Sequence, residues 1–296
     1  MIPTSIKDWA RNPDKRICLI GMSGVGKTRL SHLLRETGPY YHYAVDYRIG
    51  SHYLIDEIDG DLRRAAMRDE MFRALLRSDG ITIKAKLGIN NLDAMSSYLG
   101  KIGDPKRGGL SRDAFLERQL RHLAAERKAM LDVGKFIEVA REVFEYEDFV
   151  CDASGSLCSA VDPWDSRDPI LAEIARDHLI VYIEGSERSR QTLIDRFRAR
   201  PKPIFYSEAF FAQCEAEYLK PGTGWEAVDP DHFAVWAFER LIAYRLPRYQ
   251  AIADNWGVTL SADEVGALGS ASAFCDALID AVSRNRGTPA KDIEAA

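Results

Sequence analysis

The sequence predicts an α/β protein: an open parallel sheet of about five strands flanked by helices, with a largely helical insertion. Three observations predict it. Short, continuous apolar runs at 16–20, 148–151 and 179–183 are bounded by polar turns, as strands buried on both faces of a parallel sheet should be. The first run is followed by helical spacing, with Leu30, Leu33 and Leu34 on one face. Between that run and that helix lies Gly21-Met-Ser-Gly-Val-Gly-Lys-Thr28, which fills the pattern G-x-x-x-x-G-K-[ST].

Residues 1–15 are polar and carry Pro3 and Pro13, so they predict a short helix or arm before the strand at 16–20. The helix after the glycine loop is expected over 27–36, stopped by Thr37-Gly38-Pro39. A second strand over 41–45 should end at Asp46, and its aromatic run (Tyr40, Tyr41, Tyr43, Tyr47) reads as a strand buried on one face. His42 and His52 read as packing or surface residues.

From 55 to 147 the pattern is mostly helical, with long segments at 56–77 and 112–144 around an irregular piece containing Gly88, Gly100, Gly103, Gly108 and Gly109. A parallel crossover needs only about a dozen residues. The excess makes 55–147 an inserted cap, with 1–54 and 148–296 forming the core. The basic segment 101–109 reads as a solvated loop.

The third strand, 148–151, runs into Asp152-Ala-Ser-Gly-Ser156, and the fourth spans 179–183. Ser186 then caps a helix that carries Arg188, Arg190, Arg196, Arg198 and Arg200 before Pro201 stops it. A smaller insertion at 202–231 precedes a helix at 233–244, which leads into Arg245-Leu-Pro-Arg-Tyr249. A short strand at 257–260 and a closing helix at 262–283 follow, and the last dozen residues read as frayed.

Composition narrows the function classes. The 296 residues are 46% hydrophobic with a formal charge of −5, both signs being evenly mixed, so no basic face marks nucleic acid as a partner. Five cysteines occur singly at 18, 151, 158, 214 and 275, which indicates neither a zinc site nor a disulfide framework. The N-terminus lacks an apolar core of the signal-peptide kind and no run is long enough to span a bilayer, so a soluble cytoplasmic protein is expected.

The glycine loop carries the chemistry. Its glycines let backbone N–H groups turn inward around a polyphosphate at a helix N-terminus. Gly21, Ser23, Gly24, Val25, Gly26, Lys27, Thr28 and Arg29 are therefore the expected ATP-binding set, with Lys27 exposed and reaching the outer phosphates and the Thr28 hydroxyl holding Mg2+. Asp46 and Asp152 each follow an apolar strand, where ligands of parallel sheets bind, so both are candidate metal-ordering acids. A strand-end aspartate also serves as a helix cap or turn residue.

The order of these signals resembles the small-molecule P-loop kinases, the shikimate kinase and gluconate kinase group of the nucleoside-monophosphate-kinase-like P-loop NTPase fold. The resemblance rests on 18–31, on Asp46, on 179–201 and on 245–253, under half of the chain. It implies that Lys27 and the loop bind the ATP phosphates and that Thr28 with Asp46 orders Mg2+. It also implies that lid arginines before Pro201, with one or two of Arg196, Arg198 and Arg200 the candidates, close over the transferred phosphoryl group. Arg245 would lie near the adenine side or brace the fold. Two positions depart from the pattern. Arg48 stands where a second acid is usual, and Ala153-Ser-Gly-Ser156 replaces three glycines, so shikimate is not the implied acceptor. The leading expectation is transfer of the γ-phosphoryl group to a hydroxyl of an unidentified small molecule. The alternatives are an ATPase switch whose insertions bind a protein partner and a non-catalytic nucleotide-binding module.

Overall fold

A computed structural model describes residues 12–285 of the chain. The N-terminal arm expected over 1–15 lies outside the described residues as far as residue 11, and the frayed tail lies outside them from 286 onward. In chain order the elements are β1 Arg16–Ile20, α1 Lys27–Thr37, β2 Tyr40–Ala44, α2 Val45–Arg48, a π-helical turn Ile49–Tyr53, α3 Ile55–Ala66, α4 Glu70–Arg77, α5 Asp93–Leu99, α6 Arg112–Leu131 and α7 Val133–Glu142. They continue with β3 Asp148–Asp152, α8 Leu157–Ala160, α9 Pro169–Asp177, β4 Leu179–Glu184, α10 Glu187–Ala199, α11 Glu208–Tyr218, α12 Pro230–Trp256, β5 Gly257–Ser261, α13 Ala262–Ala267 and α14 Ala271–Asn285.

The five strands form one parallel sheet in the order β2-β3-β1-β4-β5. The expected apolar strands occupy its middle, where Ile17 and Leu19 of β1, Val150 of β3 and Val181 of β4 are buried. Leu30 and Leu34 of α1 join Phe274 and Leu278 of α14 in the core cluster on these strands. Each such side chain contributes about 1.5–3 kcal/mol by leaving water. From β1 the chain goes outward to β2, whereas from β3 it passes to the other side of β1 to form β4. Such a reversal opens a crevice at the carboxyl end of the strands, here beside the end of β1.

The described chain divides into two compact units. The first comprises 12–45, 130–196 and 242–285 and holds the whole sheet; the second comprises 46–129 and 197–241. The sequence put one insertion at 55–147 and a smaller one at 202–231. The second unit gathers material from both stretches and has its own aromatic core, in which Phe115 meets Phe211 at 5.2 Å and Trp225 meets Phe233 at 4.7 Å between ring centroids. Glu215 ties that core together, accepting two hydrogen bonds from Arg112 at 2.7 and 2.8 Å and one from the Trp225 indole at 2.8 Å.

Several expected helix bounds are corrected. The segment 56–77 is two helices, because Asp69 leaves the helical run and accepts from the Phe72 N–H at 3.1 Å to start α4. The segment 112–144 breaks at Asp132, and the closing helix 262–283 divides into α13 and α14, the first started by a Ser261–Glu264 capping box. Strand β2 stops at Ala44, so Val45 and Asp46 begin the short helix α2. The largest correction is α12, which runs unbroken through Pro247, although the sequence placed a break near Tyr244. Among the described residues, no helix is long and apolar enough to cross a membrane.

Candidate functional site

The loop between β1 and α1 follows from its glycines. Gly21, Gly24 and Gly26 have φ of 140°, 85° and 103°, in the region where other residues are strained. At Gly21 a Cβ would also stand 2.7 Å from the Ile183 carbonyl oxygen, so β4 presses the loop against its own end. The loop closes into α1 through a hydrogen bond from the Leu30 N–H to the Gly26 carbonyl at 2.9 Å.

Lys27 is buried rather than exposed as expected, with 7% of its surface accessible. Its ammonium donates to the carbonyls of Gly21 at 2.9 Å and Met22 at 3.2 Å, which fold the side chain back across the loop. The next residue turns toward β3: the Thr28 hydroxyl donates to Oδ2 of Asp152 at 2.7 Å. Nε2 of His42, on β2, stands 3.6 Å from the same oxygen, long for a hydrogen bond and so chiefly an electrostatic contact. Burial alone would raise the Asp152 pKa. The His42 imidazole, the Lys27 ammonium and the Thr28 hydroxyl outweigh it and hold the carboxyl below its ordinary range.

The arginines divide. Arg188, Arg190 and Arg196 of α10 line a cavity of about 420 Å³ together with Ser23, Val25 and Tyr182. Asp263, at the start of α13, lines it as well. Arg198 is ion-paired with Glu239 within the second unit, and Arg200 is exposed beyond the end of α10 and outside this cavity lining. Arg245 is buried and braces the segment after β3, donating to the Gly155 carbonyl at 2.8 Å and to the Ser159 hydroxyl at 3.2 Å. That segment abuts the glycine loop closely, since a Cβ on Gly155 would stand 2.5 Å from the Ser23 hydroxyl. Arg29 donates to the Gly266 carbonyl at 3.2 Å and so links α1 to the end of α13. Asp46 lies in α2, two residues beyond Ala44, which is in register with Asp152; it is the first residue of the second unit. Arg48, where a second acid was expected, lies 5.4 Å from the centre of the Tyr53 ring.

His42 was read from the sequence as a packing or surface residue. Its place beside Asp152 depends on β2 pairing with β3 across more than a hundred residues, and no local pattern carries that pairing. The only local trace was the aspartate at the end of the apolar run 148–151.

The donor set fits a phosphate ester and a hard cation. Inward-turning loop N–H groups and Lys27 suit phosphate oxygens, and the oxygens of Thr28 and Asp152 suit Mg2+, which takes one or two protein oxygens and completes its shell with water and phosphate. Among the described residues, no group of three His, Cys, Asp or Glu side chains is placed to hold a metal unaided. No known protein-family model matches the chain, and no curated protein matches it in sequence.

Proposed function

We propose that the chain is a P-loop NTPase that acts as a kinase, transferring the γ-phosphoryl group of ATP to a small-molecule hydroxyl with Mg2+. The observation that carries the reading is the hydrogen bond from Thr28 to Asp152 directly behind Lys27, because it joins the two metal-side oxygens at the floor of a glycine-lined loop. Gly21 to Gly26 would wrap the phosphates with backbone N–H groups, Lys27 would neutralise the outer ones, and Thr28 with Asp152 would hold Mg2+. Bound Mg2+ supplies charge neutralisation across the phosphate oxygens. The 420 Å³ cavity beside the loop is large enough for a base and ribose, and Arg188, Arg190 and Arg196 on its wall suit the negative charge of the phosphates. Phosphoryl transfer asks for positioning and charge more than covalent help, and these residues provide both.

A second reading, an ATPase switch with a protein partner, is favoured by α4. That helix buries none of its residues, and Met71 and Phe72 are 60% and 40% exposed. Incubation of the purified protein with γ-labelled ATP and pools of metabolites separates the two. Kinase function predicts slow hydrolysis alone and label appearing in a metabolite when the right pool is added. Label released only as free phosphate, indifferent to every small molecule, favours the switch.

A further inference from the structure

His42 is a buried group to which the proposed function gives no task. His42 lies on β2 with its side chain 1% exposed, yet among the described residues neither ring nitrogen has a hydrogen-bond partner. A buried imidazole that only fills space leaves its N–H desolvated for nothing in return, and most buried polar groups in folded proteins avoid that. What His42 does face is specific. Nε2 stands 3.6 Å from Oδ2 of Asp152, and the ring meets that of His32 edge to face at 5.5 Å between centroids. His32 lies one turn beyond Thr28 on α1, so a single helix face presents the residue that hydrogen-bonds Asp152 and the residue that backs His42. Thr28 and His42 both approach Oδ2.

Resting on the Mg2+-ATP reading, we infer that His42 is a positioning residue: it holds the Asp152 carboxylate in the rotamer that keeps Oδ2 on Thr28 and turns Oδ1 toward the metal. His42 touches neither nucleotide nor metal in this arrangement. It acts through Asp152, with His32 packed edge to face against its ring. Residues that orient a metal ligand typically change metal affinity by about 10- to 100-fold when lost.

The experiment is calorimetric titration of ATP into the full chain, in excess EDTA and in Mg2+, for wild type, His42→Phe and His42→Gln. Phe keeps the volume without a donor, while the Gln amide places a donor near the Nε2 position. All three should bind ATP alike in EDTA. The gain in affinity produced by Mg2+ should fall by about tenfold or more in His42→Phe and return largely in His42→Gln. In an Asp152→Asn background, His42→Phe should remove nothing further, because the two residues act as one unit. If His42→Phe does not fold, judged by circular dichroism, His42→Asn replaces it as a polar side chain too short to reach. His32→Phe, one ring removed from the carboxylate, should keep most of the gain. A Mg2+ gain undiminished in folded His42→Phe or His42→Asn overturns the inference alone, as does a loss that persists in the Asp152→Asn background. Wild type that binds no ATP in either medium overturns the nucleotide reading, and this inference with it.

Discussion

Asp152 is where most of the site's electrostatics converge. A carboxylate 5% exposed would ordinarily take up a proton to avoid a buried charge. Here His42, Lys27 and Thr28 hold it ionised. Asp152→Asn keeps the shape and removes the charge. The expected result is ATP binding retained in EDTA and a Mg2+ requirement raised at least about tenfold, read from calorimetry across a magnesium series. Unchanged Mg2+ dependence would assign Asp152 to a turn role. His178, at the foot of β4, shows the opposite case. Burial takes its pKa from 6.5 down to about 4, outweighing the smaller upward pulls of its Ile174 carbonyl contact and of the Asp177 carboxylate. The folded state therefore refuses a proton that the unfolded chain accepts. Stability should be full above about pH 6.5, fall by about 3 kcal/mol as pH drops toward 4, and lose nothing more to this group below that. Urea unfolding across that range should show the slope in wild type and a weaker one in His178→Leu. At this scale the sequence was legible where the candidate site is a contiguous run. Gly21 to Thr28 could be read directly, whereas the His42–Asp152 pair joins two strands and could not.

Among the elements, α12 teaches the most. Pro247 removes one N–H from the helix and would ordinarily cost about 3 kcal/mol in its interior. Tertiary anchoring on both sides outweighs that cost. Arg245 holds Gly155 and Ser159, Arg248 donates to the carbonyls of Cys158 at 2.6 Å and Val161 at 2.8 Å, and Leu241, Tyr249 and Ile252 are fully buried. The sequence reading ended the helix early because propensity is local, while these hydrogen bonds reach back about ninety residues. The same helix thereby supports the segment against which the glycine loop packs. Arg245→Met should lower stability by about 1–2 kcal/mol in urea unfolding, with the slope of the transition unchanged, because it takes the guanidinium donor from a part-buried carbonyl and a part-buried hydroxyl. A change below about 0.5 kcal/mol would remove Arg245 from any bracing role. By contrast, β1, β3 and β4 could be read to within a residue or so, since a strand buried on both faces writes its whole length as an apolar run.

Across the whole molecule, two cores of different origin share one chain. The sheet unit is built from aliphatic strands whose identity was plain in the sequence. The second unit is built from aromatic residues contributed by 46–129 and 197–241, and neither stretch shows its partner. That is why the insertions were foreseen but their union was not. The sheet unit carries every part proposed to hold the nucleotide, from the glycine loop to the three cavity arginines. The glycine loop is proposed to hold the phosphates of a nucleoside triphosphate. This binding is tested most directly by calorimetric titration of Mg2+-ATP into wild type and Lys27→Met, a variant that keeps the buried stem and removes the ammonium. Wild type should bind saturably and one to one, with affinity weakened at least about tenfold in Lys27→Met and both proteins melting within a few degrees of each other. Equal ATP affinity in the two proteins, or no binding by wild type, would contradict it.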